Sequence, residues 1–412
     1  MEDPMRYSHL LSTLASLLLV GCGISNPRPS TTPPSGQQPP SSIDQTVTEL
    51  MAHAQVPGLA LALIRHGTVV YTKAYGWADR DQGRPLRTDT VMYGASLTKA
   101  AFAYLVMQLV DEGVVDLDTP VTRQLSKPLP SYPEYSDLAA DPRWQLLTPR
   151  MLLSHSSGLL NWRWINDDRK LDLKYAPGER YVYSGEGIQI LQLIVEERTC
   201  ESLDSLMQTR VFDRFGMRDT SMVWKEAFAG RQSNRYDLRG QPVGHQQRKR
   251  PRGAGSMDTT LEDYARFMAG VLRGDGLTAA SKNQMLGPQI RIVSPQQFPS
   301  HFPGQTQVND PIALSAGLGW VVYESPSGPA FFKEGNDEGT NNFALGFRRS
   351  GDGILLLSNS SNGDKIFYPL VQRVFGRTCL PWFWMGYIPY DKPEWRATGV
   401  RDRPPAPCES TQ

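Results

Sequence analysis

The sequence lacks most of the motifs by which metal, nucleotide and cofactor sites are recognised. It has six histidines in 412 residues, and no two of them have metal-ligand spacing such as H-E-x-x-H. No G-x-G-x-x-G or Walker motif is present, which argues against a nucleotide cofactor. No G-x-S-x-G occurs either, so a nucleophile elbow is not expected. The sequence therefore predicts a protein with neither a metal nor a cofactor.

The chain also has almost no net charge. Its 43 basic and 42 acidic residues leave a formal charge of +1, so no global field would attract nucleic acid. Hydrophobic residues make up 40% of the chain, which is enough for a sizeable core. At this length the chain holds one large domain or two smaller ones. We expect no nucleic-acid partner.

The N-terminal segment has the layout of an export signal. Residues 10–20 are apolar but too few to span a bilayer, and Arg6 precedes them. Leu19-Val20-Gly21-Cys22 resembles the lipobox of bacterial lipoproteins, which implies cleavage before Cys22 and a lipid on its sulfur. A plain secretory signal with an incidental cysteine is the alternative. Gly23 follows Cys22, and this resembles the pattern of lipoproteins that are sorted to the outer membrane. The protein would then face the periplasm of the cell envelope.

The remaining chain divides by composition. Residues 1–21 are the predicted signal peptide, and residues 22–42 form a Pro- and Ser-rich tether that follows from its composition. Residues 43–379 form the predicted folded domain, and residues 380–412 a Pro- and Trp-rich tail. With Cys22 acylated, three cysteines remain, so at most one bridge forms within the chain. A bridge from Cys379 to Cys408 would pin the tail, and free thiols are the alternative.

One S-x-x-K motif stands out, because it occurs once in the chain. Ser96 and Lys99 are three residues apart and would share one face of a helix. A serine beside a lysine amine is a candidate nucleophile with its base. The residues that follow are apolar almost all round, which is typical of a buried helix. Burial would lower the pKa of Lys99. Chance is the alternative, since the motif alone is a weak signal.

Three further segments accompany this motif in a fixed order. They are Val56-Pro57-Gly58-Leu59-Ala60, Tyr75-Gly76-Trp77-Ala78-Asp79 and the run from Met107 to Val121. The ordered set resembles the penicillin-recognising serine hydrolases: class C β-lactamases, D-alanyl peptidases and related esterases. Short strands at hairpin spacing predict an antiparallel sheet of five or six strands flanked by helices. The resemblance implies an α+β, β-lactamase/transpeptidase-like fold with an all-helical subdomain that carries part of the site.

The resemblance also assigns residues further along the chain. Tyr183 matches a family tyrosine that lies between two lysines and serves as general acid/base. Gly185 stands where the family has an asparagine, so a side-chain amide that would hold the substrate carbonyl is lost. His155 is expected to be a hydrogen-bonded structural residue. Trp162 and Trp164 could line a cleft, but buried core is the more frequent fate of such residues.

The triplet Lys333-Glu334-Gly335 is the only K-x-G in the chain. Lys333 matches the family's charged position, and Gly335 would let substrate lie along a strand edge. Glu334 replaces a hydroxyl residue, and its carboxylate would repel substrate carboxylates. This predicts neutral or cationic substrates. By resemblance, the backbone N–H groups of Ser96 and Asn336 would form the oxyanion hole.

Together these features predict a lipid-anchored, monomeric serine hydrolase that forms an acyl-enzyme on Ser96. Its substrate would be a small-molecule or peptide ester or amide, as for a carboxylesterase or D-amino-acid peptidase. A class C-like β-lactamase and a non-catalytic cell-envelope binding protein of the same fold are the alternatives. The basic run from Arg248 to Arg252 is interpreted as solvated surface, with an anionic envelope polymer or lipid headgroup as the alternative ligand.

Overall fold

The turn-separated strands of the sequence pair into one large sheet. The computed structural model describes residues 40–396 and Cys408. Over that part of the chain the strands are β1 (Gly58–Arg65), β2 (Thr68–Asp79), β3 (Arg84–Pro85), β4 (Met92–Tyr93), β5 (Asp258–Thr259), β6 (Ile290–Arg291), β7 (Ser315–Ala316), β8 (Val321–Ser325), β9 (Gly328–Asp337), β10 (Thr340–Phe347) and β11 (Asp352–Ser358). Nine of these lie in the order β3-β2-β1-β11-β10-β9-β8-β7-β6, and β4 pairs with β5.

The sheet confirms the predicted antiparallel architecture. Six strands have five to twelve residues, which matches the expected five or six. The other three, β3, β6 and β7, have two residues each and extend the sheet at its edges. Two residues cannot show the alternation of polar and apolar side chains by which a strand is recognised.

Helices cover both faces of the sheet. In the described chain they are α1 (Pro40–Ala54), α2 (Leu97–Asp111), α3 (Val121–Gln124), α4 (Pro149–Leu153), α5 (Gly185–Thr199), α6 (Leu203–Met207), α7 (Asp213–Phe215), α8 (Leu261–Arg273), α9 (Ala279–Met285), α10 (Asp364–Phe375) and α11 (Trp382–Met385). Short 3₁₀ turns lie at Leu129–Ser131, Pro133–Ala140, Pro142–Leu146, Arg163–Ile165, Glu226–Phe228, Asp310–Ile312 and Pro393–Arg396, and a π-helical turn at Gln208–Phe212. α1 and α10 pack on one face, and α2 and α8 on the other. The elements between β4 and β5 are all helical, as the predicted subdomain requires.

The central strand β1 shows why the sheet needs two helical layers. All of its residues except the last are buried. Successive side chains point to opposite faces, so Leu59 and Leu61 join the core under α1 and α10, whereas Ala60 and Ala62 join the core around α2. A strand that is covered on both faces consists of a continuous run of apolar residues, as β1 does.

The predicted buried helix is α2. Its residues from Leu97 to Leu109 are all buried, because its apolar side chains face the sheet on one side and the helical segment on the other. Gly319 packs against it so closely that a Cβ there would lie 2.3 Å from the Cβ of Ala103. Lys99 is therefore carried into the interior by the helix that Ser96 begins.

The C-terminal residues pack onto the sheet as well. A disulfide joins Cys379 to Cys408, the pairing favoured from the sequence, and Cys200 is an exposed free thiol. Leu380 and Trp382 are buried in the core under α1 and α10. Packing thus continues past residue 379, where the sequence analysis places the start of a tail.

The predicted signal segment and its lipidation residue, Cys22, lie outside the described residues. Over residues 40–396, no helix is both long enough and apolar enough to cross a membrane.

Replacing Trp382 by alanine tests the packing of the C-terminal segment. Its indole is buried and contacts Phe343, with ring centres 5.2 Å apart. We expect Trp382→Ala to lower the free energy of unfolding by about 3–5 kcal/mol through the cavity it leaves, measured by urea denaturation. The control is Trp77→Ala, since Trp77 is 43% exposed; it should cost less than about 1 kcal/mol. Equal, small losses in both variants would contradict this packing.

Candidate active site

Several parts of the chain converge on one cavity of about 660 Å³. The start of α2 contributes Ser96 and Lys99, the end of β9 contributes residues 334, 336 and 337, and Tyr183 lies just before α5. The segment from 246 to 256 closes one side. The three motifs that the sequence analysis singled out thus lie at one place.

Ser96 is held at the N-terminus of α2 by a tight turn. Ala95 has φ = +46°, a conformation that costs a non-glycine residue of order 1–3 kcal/mol. The turn is closed by a hydrogen bond of 3.0 Å from the N–H of Leu97 to the carbonyl of Gly94. Strained backbone of this kind persists only where the surroundings impose it.

Gly335 of β9 packs against this turn and helps to hold its strained conformation. A Cβ at this position would lie 2.5 Å from the carbonyl oxygen of Gly94 and 3.0 Å from the nitrogen of Leu97. The glycine is therefore required because the strand touches the Ser96 turn. The sequence predicts a glycine here for the close approach of substrate, whereas in the structure it is contact with the turn that requires it.

Lys99 is 1% exposed and touches the serine. Its Nζ lies 3.1 Å from the Oγ of Ser96 and donates to the carbonyl of Ala254. Burial lowers the pKa of Lys99 from its ordinary 10.5, and the charge of Lys333 lowers it further, against opposing contributions from Tyr183. No carboxylate pairs with Lys99 among the described residues. The amine is thus suited to lose its proton and act as a base.

Tyr183 lies between the two lysines, as predicted. The Nζ of Lys99 is 5.0 Å and that of Lys333 is 5.1 Å from the centre of its ring. The Nζ of Lys333 also lies 3.4 Å from the phenolic oxygen. Burial raises the pKa of Tyr183, but the charges of Lys333 and Lys99 outweigh it and leave the pKa below 10.0. The hydroxyl can therefore exchange a proton more readily than an ordinary tyrosine.

Lys333 is held as a cation by its neighbour. Its Nζ donates to the carbonyl of Glu334 at 2.8 Å and to the Oε1 of Glu334 at 3.2 Å. Burial lowers the pKa of Lys333, but Glu334 and Tyr183 raise it by more, so it lies above 10.5. Gln297 also donates to the Glu334 carboxylate. The charge of Glu334 is thus compensated inside the protein, and the expectation that it repels substrate carboxylates loses its basis.

The indole of Trp162 fills the space beside Gly185. A Cβ at Gly185 would lie 2.6 Å from the indole of Trp162, so a larger residue would require the indole to move. The neighbouring Asn161 lines the cavity, and its Oδ1 accepts a hydrogen bond of 2.9 Å from the N–H of Gly185. Its amide nitrogen has no hydrogen-bond partner within the described chain. Asn161 therefore presents an unused amide donor in the cavity that lacks the expected asparagine.

Aromatic rings form one wall of the cavity. Trp162 and Trp164 stack with ring centres 4.8 Å apart, and Trp164 is 58% exposed. The ring of Phe298 lies 5.2 Å from that of Tyr183. The alternative that the two tryptophans line a cleft is therefore confirmed. The expectation of a core position is wrong for the exposed Trp164, whereas Trp162 lines the cleft and also packs against the core.

His155 has the structural position predicted for it. It is buried, its Nδ1 accepts a hydrogen bond of 3.2 Å from the N–H of Ser184, and its ring lies 4.4 Å from that of Tyr183. Burial, with the charges of Lys99 and Lys333, holds the pKa of His155 well below 6.5. A neutral imidazole thus supports the tyrosine without adding a third positive charge.

Asn336 lines the same cavity as Ser96. Its Oδ1 accepts a hydrogen bond of 2.9 Å from the hydroxyl of Tyr387, so the packed C-terminal segment fixes the end of β9. The oxyanion hole formed by the backbone N–H groups of Ser96 and Asn336 stays a prediction.

The basic run borders the cavity as well. Arg248, Lys249, Arg250 and Arg252 all line it, which the interpretation as plain solvated surface did not include. Asn161, Phe298 and Gln297 are further residues that the sequence analysis missed, and they carry no motif. The basic run from Arg248 to Arg252 can be recognised in the sequence, but its position beside Ser96 depends on the fold.

Among the described residues, no cluster of three or more His, Cys, Asp or Glu side chains is placed to hold a metal ion.

This fold and this Ser-Lys-Tyr arrangement define a β-lactamase-like protein. The model of the family described as "Beta-lactamase" matches residues 43–370, and the chain belongs to that family. The resemblance drawn from the ordered motifs is thereby confirmed.

Individual relatives have different names. Over 210 residues the chain is 33% identical to esterase EstB of Burkholderia gladioli, covering 45% of this chain and 52% of that protein. It is 23% identical to penicillin-binding protein 4* of Bacillus subtilis, covering 68% and 63% of the two chains. The chain thus spans about half to two thirds of the length of these relatives.

A solved structure supports the fold. The D-alanine carboxypeptidase AmpC of Burkholderia cenocepacia superposes with a TM-score of 0.65 at 18% identity, covering 82% of this chain and 98% of that one. At this identity the likeness shows the fold alone, and it confirms the β-lactamase/transpeptidase-like architecture.

The neutral His155 makes stability depend on pH. Its pKa in the folded state lies below the unfolded value of 6.5, so as pH falls below 6.5 the unfolded chain takes up a proton that the folded chain does not. His155 therefore contributes a loss of stability on acidification, of about 1 kcal/mol between pH 6.5 and 5.5. Other groups titrate in the same range, such as Asp364, whose pKa burial raises to about 6. Urea denaturation at the two pH values should therefore show a change in stability that is about 1 kcal/mol more unfavourable in the wild type than in His155→Gln. The same pH dependence in both proteins would contradict the assignment.

Proposed function

We propose that the protein is a serine hydrolase that forms an acyl-enzyme on Ser96 and hydrolyses an ester or an amide. The observation that carries the proposal is the 3.1 Å contact between the Ser96 hydroxyl and the buried Nζ of Lys99, whose pKa is lowered. A nucleophile and its base within hydrogen-bond reach are the usual signature of covalent catalysis.

Acylation begins when Lys99, in its neutral form, takes the proton of the Ser96 hydroxyl. The oxygen attacks the substrate carbonyl, and the negative charge develops on the carbonyl oxygen. The backbone N–H groups of Ser96 and Asn336 are proposed to hold that charge, each contributing ~3–4 kcal/mol to the transition state. As the tetrahedral intermediate collapses, the leaving group receives a proton from Lys99 or Tyr183.

Deacylation needs a base for the attacking water. Tyr183 is suited to this role, because two positive charges lower the pKa of its hydroxyl. When Tyr183 has protonated the leaving group, its phenolate takes a proton from water, the hydroxide adds to the acyl carbonyl and the bond to Ser96 breaks. The serine oxygen then regains the proton that Lys99 took in acylation. When Lys99 has protonated the leaving group, its neutral amine takes the water proton and returns it to the serine oxygen. Lys333 stays charged through its contact with Glu334 and stabilises any phenolate character on Tyr183.

The site supports an ester or peptide substrate better than a β-lactam. Gly185 departs from the pattern of the penicillin-recognising enzymes, and the relative with 33% identity carries the name esterase. Amide substrates are retained in the proposal because Asn161 offers an unused side-chain amide in the cavity. A purely binding role is less well supported, since it requires neither the buried Lys99 nor its contact with Ser96.

The cellular location is a proposal on the signal layout alone. A lipid on Cys22 would anchor the protein to the membrane, at the outer membrane of a bacterial cell envelope. Residues 22–39 would be the tether, since α1 begins at Pro40 and not at the predicted residue 43. The mass of the mature N-terminal peptide tests it. The monomeric state stays a prediction.

Removing the nucleophile gives the first test of the reaction. We expect Ser96→Ala to abolish covalent labelling by a fluorophosphonate probe, because the attacking hydroxyl is gone. Intact-protein mass spectrometry measures the labelling. The control is Ser256→Ala, since Ser256 lines the same cavity but its hydroxyl is hydrogen-bonded to the carbonyl of Met222. Equal labelling of wild type and Ser96→Ala would rule the proposal out.

Asn161→Ala tests the role of the free amide. We expect it to lower kcat/KM on an acyl-amino-acid amide by about 10-fold, which corresponds to one lost hydrogen bond of ~1.4 kcal/mol. The effect on a simple aryl acetate, which has no amide carbonyl beside the scissile bond, should be smaller. Steady-state kinetics on both substrates measure the difference. An equal loss on both would assign Asn161 to supporting the backbone at Gly185.

A further inference from the structure

Three exposed cations lie at the edge of the cavity. Lys249, Arg250 and Arg252, together called the basic rim, all line the cavity that holds Ser96. Within residues 40–396 and Cys408, no hydrogen bond or ion pair engages any of their side-chain nitrogens. Three positive charges without partners beside one cavity raise the local concentration of anions.

The other charges of that wall are already engaged. Arg248 lies 3.4 Å from the centre of the Tyr93 ring, and its Nη1 is 3.5 Å from the Oδ1 of Asp258. It is therefore held against the protein, and its charge is largely matched. This separates Arg248 from the basic rim.

The acidic groups of the cavity also have partners. Asp337 lies 3.8 Å from Arg235, and Glu334 lies 3.2 Å from Lys333. Neither carboxylate is therefore left to balance the basic rim, and the unmatched charge at the cavity is positive. The expectation of neutral or cationic substrates, which was based on Glu334, does not fit an excess of positive charge at the cavity.

The backbone of the basic rim is fixed relative to the catalytic lysine. The N–H of Arg252 donates to the Oγ of Ser256 at 2.9 Å, and the N–H of Gly253 donates to the Oε1 of Gln192 at 2.9 Å. Two residues after Arg252, the carbonyl of Ala254 accepts a hydrogen bond from Lys99. A charge carried by this segment is thus positioned with respect to the reacting serine.

We propose that the basic rim binds a negatively charged group of the substrate, such as a carboxylate, phosphate or sulfate, so that the protein prefers anionic esters or amides to neutral ones. The inference rests on the proposed function, because it names the substrate class of the Ser96 site. The aromatic wall of Trp162, Trp164 and Phe298 gives the remainder of such a substrate an apolar surface.

Matched probes test this preference. One fluorophosphonate carries a terminal carboxylate, and the second carries the methyl ester of that carboxylate. The rate of Ser96 modification by each is followed by intact-protein mass spectrometry. We expect the wild type to react faster with the anionic probe, and the ratio of the two rates to fall with added salt, because exposed charges are screened. In Lys249→Gln/Arg250→Gln/Arg252→Gln this ratio should fall about 10-fold, since each exposed contact contributes a factor of a few.

The control removes the same number of charges elsewhere. Arg123, Arg218 and Arg349 are exposed and lie outside the cavity lining, and their side chains have no hydrogen-bond or ion-pair partner within the described chain. Arg123→Gln/Arg218→Gln/Arg349→Gln should keep the wild-type ratio of rates. An equal fall in this control would assign the preference to net charge instead of the basic rim and overturn the inference.

The remaining outcomes separate the two proposals. Modification of Ser96 at equal rates by both wild-type probes would overturn the basic rim as a binding site and leave the serine hydrolase intact. A wild type in which neither probe modifies Ser96 would overturn the proposed function, and this inference with it. As a second measurement, kcat/KM on 4-nitrophenyl hydrogen glutarate and on its methyl ester should show the same 10-fold change in ratio, mainly through KM.

Discussion

The site depends on two lysines that are buried on either side of one tyrosine. Burying an ammonium group is costly unless it is paired or loses its proton. Lys333 is paired, with Glu334 at 3.2 Å, and its pKa is raised. Lys99 has no carboxylate partner among the described residues; it contacts the Ala254 carbonyl, the Ser96 hydroxyl and Tyr183, and its pKa is lowered. This asymmetry gives one lysine the role of a base and the other that of a fixed positive charge.

The fold makes this arrangement possible through close packing between α2 and β9. A helix that is apolar all round is inserted against the sheet, and it carries one lysine into the interior. Gly335 lets the strand touch the turn that presents Ser96, so the strand that supplies Lys333 is held against the nucleophile. The hydrogen bond from Tyr387 to Asn336 then extends this support to the C-terminal segment.

Much of this could be predicted from the sequence, because its signals are local. The spacing of Ser96 and Lys99, the apolar helix that follows and the turn-separated strands identify the helix, the sheet and the order of the motifs. What could not be predicted arises from contacts between distant segments. Trp162 fills the space beside Gly185, and Glu334 turns inward to its lysine neighbour, whereas residue types alone implied a lost amide and a repelling carboxylate. The basic run was visible, but only the fold brings it to the serine.

The central claim is that a buried, deprotonated Lys99 activates Ser96, and the pH dependence of acylation tests it most directly. The rate of Ser96 modification by the neutral fluorophosphonate would be measured by rapid quench from pH 5 to pH 11. Because the pKa of Lys99 is lowered, the rate should reach its plateau well below pH 10.5, and Lys99→Met should lose about 10²–10⁴-fold at the plateau. A rate that continues to rise to pH 10.5 and above, or a Lys99→Met variant that reacts as fast as the wild type, would contradict the account.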